Sequence, residues 1–272
     1  MITDYVRSGS VEEAYGLLTS LGARARLMGG GTDLSLHPPA EVDTLIDLSG
    51  ASLGGITRDD TSITIGATVT LTEMLESEPL GGVWSGVVHT MLRRVASPLH
   101  RNAASIGGHL ARGRLSDVVP VLLAIDASVR FYDGSPKQMP LGEFYATRRN
   151  RRPLVVTGVQ IPTDDGRAAF RKFARTTYDL AILNVACGVR FDDERAVSSA
   201  KIVVGERPSL AVELIESSRA LVGRPLDEDS IAEAAGAAKQ TVDVRSDPRG
   251  SAEYRRHLTE VLVRRCLTEV AS

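Results

Sequence analysis

The chain has 272 residues, 43% hydrophobic and 24% charged, with a formal net charge of −2. That length can bury one large core or two modest ones. The near-neutral balance argues against nucleic-acid binding, which draws on a basic excess, and no apolar run approaches the ~20 residues that span a bilayer. Met1-Ile2-Thr3-Asp4-Tyr5 lacks the basic flank and apolar stretch of a signal peptide, so a cytoplasmic location is expected.

In chain order, Ser10 and Glu13 form a capping box ahead of a helix from Val11 to Leu21, with Gly22 at its C-terminal end. A short strand from Ala25 to Met28 runs into Gly29-Gly30-Gly31-Thr32-Asp33. Thr44 to Leu48 reads as a buried strand, and Ser62 to Ala67 alternates as a strand should. Thr70 and Glu73 cap a short helix, Val83 to Val95 reads as a longer one, and Arg101 to His109 reads as a loop. Asp117 to Ile125 is expected as helix, Ser128 to Tyr132 as strand before the turn Asp133-Gly134, and Leu154 to Ile161 as strand. From about Ala168 the order changes. Strands from Ala168 to Ala174, Asn184 to Phe191 and Ala200 to Gly205 precede helices from Leu210 to Leu221, Asp229 to Gln240 and Ser251 to Val270. Strands grouped first and helices afterwards predict an α+β unit.

Cys187 and Cys266 lie far apart and cannot supply the four thiolates of an iron–sulfur cluster. Both sit in apolar surroundings and read as small core residues. The five histidines form no i, i+4 pair, so no metal site is expected. Two glycine-rich segments carry the chemistry. In Gly29-Gly30-Gly31-Thr32-Asp33, backbone N–H groups stand uncovered by side chains and can converge on an anion, with the Thr32 hydroxyl beside them. Gly107-Gly108 repeats the device, with Ser105 adjacent and Arg101 nearby for positive charge. Two cradles suit the two phosphates of a dinucleotide, although either alone is also an ordinary tight turn. The Rossmann and P-loop patterns are both absent.

Met28-Gly29-Gly30-Gly31-Thr32-Asp33-Leu34 resembles the first flavin loop of the FAD subunits of the molybdenum hydroxylase family, of xanthine dehydrogenase and carbon monoxide dehydrogenase type. Val95 to Gly108, with Arg101-Asn102-Ala103-Ala104-Ser105-Ile106-Gly107-Gly108 at its core, is similar to the second loop. Asp117 with the following Pro120 to Ala127, and Arg249-Gly250-Ser251-Ala252-Glu253-Tyr254-Arg255-Arg256, resemble two further landmarks in the same order.

The resemblance implies an FAD-binding portion (PCMH-type) over residues 1–165, in two α/β subdomains of about 1–53 and 54–165. A C-terminal α+β domain with a three-stranded antiparallel sheet would occupy 166–272. It implies FAD on this chain, molybdopterin on a large partner subunit and [2Fe–2S] clusters on a small one, in a heterotrimer that can dimerise. By similarity, Gly29 to Asp33 and Ser105 to Gly108 cradle the pyrophosphate, with Met28, Arg101, Ala104 and Ile106 completing the set. Asp117 lies near the ribityl or phosphate portion. Lys172 to Asp179 approaches the isoalloxazine, with Tyr178 a candidate stacking residue. No catalytic acid or base is required, because the flavin performs the electron chemistry.

The chain departs from the family pattern at His109, where Asn is usual, and at Arg112-Gly113-Arg114-Leu115-Ser116. Those arginines either strengthen pyrophosphate binding or face solvent or a partner. The alternatives to an FAD-binding electron-transfer subunit are a structural or assembly subunit that has lost FAD, and a free-standing flavoenzyme that works without partners. Asp33 is expected to cap the following turn, Trp84 to sit in the core, and Tyr254-Arg255 to anchor the last helix. The basic run Arg148-Arg149-Asn150-Arg151-Arg152 reads as a solvated loop or, less simply, a contact for an acidic partner.

Overall fold

Thr44-Leu45-Ile46-Asp47 is buried along its whole length, as befits the central strand of a parallel sheet. In the computed structural model, which describes residues 2–148, 152–206 and 210–272, it is β3, flanked by β1 (Asp4–Arg7) and β2 (Ala25–Met28), both parallel to it. The first helix, α1 (Val11–Leu21), starts at Ser10, whose side chain accepts from Glu13 N. The Glu13 carboxylate reaches back to Gly9 N at 2.7 Å. Ala14, Ala25, Ile46 and Leu48 form the core under this helix.

A second sheet has the strand order β4 (Ile56–Arg58), β5 (Ser62–Gly66), β8 (Val155–Pro162), β6 (Ser128–Tyr132), β7 (Pro136–Pro140). Three further helices of this unit are α2 (Leu71–Glu76), α3 (Pro98–Ala103) and α4 (Ile106–Arg112). Together residues 1–77, 97–112 and 127–161 make the first of two compact units. Residues 78–96, 113–126 and 162–272 make the second.

The second unit is built on an antiparallel sheet ordered β12 (Val212–Glu213), β11 (Val197–Glu206), β10 (Leu183–Phe191), β9 (Arg167–Phe173). The expected three-stranded sheet thus gains a two-residue fourth strand. Helices α5 (Val118–Ala124) and α7 (Ala252–Ala271) both pack on β10, and α6 (Glu228–Thr241) packs on α7. Gly188 in β10 is required by this packing, since a Cβ there would overlap the Ala124 carbonyl. Cys187 and Cys266 are fully buried in the same core.

Three local expectations are corrected. Val83 to Val95 is not one helix: a 3-10 turn over Val83–Gly86 breaks at Trp84 and Ser85, both with positive φ, before a helix over Val87–Leu92. The break lets the Trp84 indole N–H donate to the Pro162 carbonyl at 2.9 Å, and the ring is only 2% exposed. Leu210 to Leu221 is helical only over Ile215–Arg219. Its first part joins the sheet edge, with Val212 opposite Val204 and Leu214 N donating to Ile202 O at 2.8 Å. Sheet pairing there overrides local helix propensity.

Arg101 to His109 is not a loop but the end of α3 and the start of α4. Pro98 opens α3 from its first position, where its missing N–H costs nothing, behind a Ser97 cap. Ala104 then turns extended, and its carbonyl accepts from Leu71 N at 2.9 Å.

Candidate cofactor site

Both glycine segments lie in the first unit, and they touch. A Cβ on Gly30 would overlap the Ala103 carbonyl, and one on Gly29 would overlap the Ser105 hydroxyl. Gly30 therefore lets two backbones approach closer than a side chain allows, and Gly29 leaves room for the Ser105 hydroxyl. Gly31 has φ +67°, a conformation that glycine adopts without strain. The chain thus turns sharply out of β2, and Asp33 O accepts from Leu36 N and His37 N.

From Gly29 to Leu34, no backbone N–H has a protein acceptor among the described residues. The Thr32 hydroxyl likewise has no protein partner there. Consecutive open amides of this kind can converge on an anion.

The second segment is organised differently. Ile106 N donates to Val69 O and Gly107 N to Ala67 O, both at 2.9 Å, and Gly108 N donates to Ser105 Oγ at 3.3 Å. Its amides are therefore engaged within the protein, and this segment forms no open nest. Gly107 is needed for packing, since a Cβ there would lie 2.7 Å from both the Cβ and the carbonyl of Ala67. Gly108 is exposed, and the nearest atom to a Cβ on it is Ser105 Oγ at 3.3 Å. The fold alone does not demand a glycine at that position.

Basic side chains stand on the two helices that carry the second segment. Arg101 is buried in α3, and α4 carries His109 and Arg112. Burial, then the neighbouring His100 and Arg112, push His109 down to about 4, so it is neutral at neutral pH. Arg112 Nη1 lies 3.2 Å from Asp33 Oδ1. The Asp33 side chain is thus engaged across to α4 and does not cap its own turn as expected. Arg148 donates to the carbonyls of Ala111 and Arg112 at 2.8 Å each, closing the end of α4. Spacing gave no signal for this, because Arg148 is distant in sequence. Arg149, Asn150 and Arg151 lie outside the described residues.

The remaining candidates lie in the second unit. Asp117 is 9% exposed, and its carboxylate takes Lys172 Nζ at 2.7 Å and Asn184 Nδ2 at 2.6 Å. Lys172 also donates to Arg94 O at 3.0 Å. Asn184 was not anticipated, since an Asn inside an apolar strand is legible as a partner only once Asp117 is seen opposite it. Tyr178 is 55% exposed. Its loop is held by Arg249, which reaches Asp179 Oδ2 at 2.6 Å and Leu180 O at 2.8 Å. Arg255 is 1% exposed and pairs with Asp247 at 2.8 Å, while Tyr254 meets Phe173 of β9 edge-on at 5.9 Å. Tyr254-Arg255 therefore anchors α7, as expected. Among the described residues no group of His, Cys, Asp and Glu is placed to hold a metal, and no helix is long and apolar enough to cross a membrane.

The chain belongs to the family of FAD-binding flavoprotein subunits of molybdopterin dehydrogenases. Residues 1–164 match the FAD binding domain in molybdopterin dehydrogenase, and residues 168–270 match the CO dehydrogenase flavoprotein C-terminal domain. The chain is similar to the 6-hydroxypseudooxynicotine dehydrogenase complex subunit alpha of Paenarthrobacter nicotinovorans, at 31% identity over 98% of this chain and 93% of the relative. It is similar to the carbon monoxide dehydrogenase medium chain of Afipia carboxidovorans, at 26% identity over 97% and 95%. Among solved structures, a chain of the carbon monoxide dehydrogenase from Hydrogenophaga pseudoflava superposes with a TM-score of 0.90 at 25% identity, covering 98% of this chain and 96% of that one. Quinoline 2-oxidoreductase from Pseudomonas putida 86 gives 0.87 at 25%, covering 100% and 97%. The α+β fold and the oxidoreductase flavoprotein class follow from these matches.

Proposed function

We propose that this chain carries FAD as the electron-transfer subunit of a molybdenum hydroxylase complex. In this reading it takes electrons from [2Fe–2S] clusters on a small partner subunit, supplied in turn by a molybdopterin-bearing large subunit. It passes them to an external acceptor, in a heterotrimer able to dimerise. A cytoplasmic location is part of the reading, in keeping with the unbridged thiols of Cys187 and Cys266.

The observation that carries the proposal is the run of open amides from Gly29 to Leu34, in a chain whose first 164 residues match an FAD-binding family. These N–H groups, with the hydroxyls of Thr32 and Ser105, would donate to the pyrophosphate. Met28 leads β2 into that turn, and Ala104 and Ile106 fix the facing segment by their bonds to Leu71 and Val69. Gly108 would leave room where a side chain would intrude, and Arg101, buried in α3, would add positive charge. By the family resemblance alone, Asp117 and Lys172, joined with Asn184 in a buried polar group, are assigned to the ribityl side, and the exposed Tyr178 to stacking. When bound, the flavin supplies the one- and two-electron chemistry, while the protein binds, orients and tunes it. The relatives named as an alpha subunit and a medium chain support a place in a larger assembly.

The test is a visible absorption spectrum of the purified complex, before and after FAD is added. Flavin bands whose chromophore is released as FAD on denaturation support the reading. A fully assembled complex that takes up no FAD overturns it and leaves a structural subunit of the same fold.

A further inference from the structure

The ion pair between Asp33 and Arg112 joins the end of the open amide run to the end of α4. Both residues are substantially exposed, with side chains 47% and 36% accessible. An exposed pair of this kind contributes little to stability. Only Nη1 of the guanidinium approaches the carboxylate, and no other protein acceptor contacts Arg112 among the described residues. Among the described residues its further N–H donors are open. Arg148 fixes the backbone beneath it by binding the Arg112 and Ala111 carbonyls. His109, one turn earlier, is neutral at neutral pH, so α4 carries its charge here on Arg112.

A carboxylate at the end of an anion-binding loop is a liability, because Asp33 repels the phosphates that the amides of Gly29 to Leu34 attract. Arg112 answers this in two ways. It compensates Asp33, and it offers a planar fork of donors suited to phosphate oxygens.

Resting on the FAD reading above, we infer that Arg112 is a pyrophosphate-binding residue of this chain, held at the cradle by Asp33 and donating to the dinucleotide when it binds. The pair is then an orienting device, with Asp33 keeping the guanidinium at the loop and the phosphate completing its hydrogen bonding. The Asp33 carboxylate does not itself bind the phosphate, since an acceptor-only group has no hydrogen bond to donate to it.

FAD titrations of the apo complex, followed by quenching of flavin fluorescence at about 0.05 and 0.5 M NaCl, test this against salt screening. Arg112→Gln is expected to weaken FAD binding about ten- to hundred-fold at low salt, the loss of one charge-assisted contact. It should also flatten the salt dependence. Asp33→Asn/Arg112→Gln should stay weak, because removing the repulsion does not restore the donor. Arg112→Lys should recover part of the affinity by charge alone. Unchanged melting of the apo variants confirms that the fold is intact. Wild-type affinity in Arg112→Gln at both salts, or in the double variant, overturns the inference while leaving the FAD reading standing. A wild-type complex that binds no FAD removes both.

Discussion

Lys172 Nζ lies 2.7 Å from Asp117 Oδ2, and the two side chains are only 4% and 9% exposed. A pair so deeply enclosed repays the loss of water only when its other bonding groups are met. Two further contacts go part of the way, Arg94 O accepting from the lysine and Asn184 Nδ2 donating to the carboxylate. The pair links β9, β10 and the start of α5, so the polar group proposed for the ribityl side is also structural.

Lys172→Met should therefore destabilise the chain by about 3–5 kcal/mol, because it strands a buried carboxylate. Replacing both partners, as in Lys172→Met/Asp117→Leu, should recover much of that loss. Denaturant midpoints of the two variants measure the difference. A single variant as stable as wild type would show that water reaches the pair.

The glycines of the site should separate folding from binding. Gly30→Ala places a methyl group on the Ala103 carbonyl, so the loop must move, at a cost of roughly 1–3 kcal/mol. Gly108→Ala asks the Ser105 hydroxyl to give only a few tenths of an ångström. In a helix it gains up to about 1 kcal/mol of propensity. Apo stability should thus fall in the first and hold or rise in the second, while FAD affinity falls in both. Equal FAD affinity in Gly108→Ala and wild type would remove Gly108 from the site.

The contrast between those glycines marks how far the sequence could be read. Elements with a strong local signal were legible: β6 spans Ser128–Tyr132 as expected, and the Thr70–Glu73 capping box is present in full. So were the glycine segments and their family likeness. Whether Gly107 serves packing or binding was not, because the atom that excludes a side chain there belongs to Ala67, forty residues earlier. Trp84 is similar. Its burial was evident from its apolar setting, but its left-handed backbone answers to Pro162 and cannot be seen in the surrounding residues. Long-range contacts also decided Asp33 and Arg148, an ion pair for the first and hydrogen bonds for the second, where their neighbours in sequence pointed to a turn cap and a solvated loop.

Acid should act on the first unit through His109. Its folded-state pKa is about 4 against an ordinary 6.5, chiefly through burial. Between those values the unfolded chain binds the extra proton, so stability rises with pH across the window. It is lost as pH falls from about 6.5 towards 4, and is unaffected by this group at pH 7 and above. Carboxylates held low in the folded state, such as Asp43 and Asp59 by their hydrogen bonds, act in a lower window, below the usual 3.8. His109→Asn should therefore flatten the stability profile between about pH 6.5 and 4 while leaving the steeper acid limb below it. An unaltered profile in that variant would mean that the imidazole is solvated enough to titrate normally.

Arg249 should control the mobility of the loop that carries Tyr178. Its Nη2 binds both Asp179 Oδ2 and Leu180 O, while its own backbone N–H is held by Asp247. Asp179 is pulled below the ordinary carboxylate range despite the opposing effect of burial, by Arg175 hydrogen bonding, the Leu180 amide and the Arg249 charge. Arg175 is more exposed than Arg249, with side-chain accessibilities of 67% and 13%. Arg249 is therefore the stronger anchor, since an exposed ion pair is screened and entropically costly. Arg249→Met should raise amide exchange across residues 174–182 several-fold, leaving β10 protected, whereas Arg175→Met should change it little. If Tyr178 stacks on the flavin, Arg249→Met also loosens that contact, and the flavin's visible circular dichroism should weaken without loss of bound FAD. Exchange that rises equally in both variants would assign the anchoring to Asp179 itself and not to Arg249.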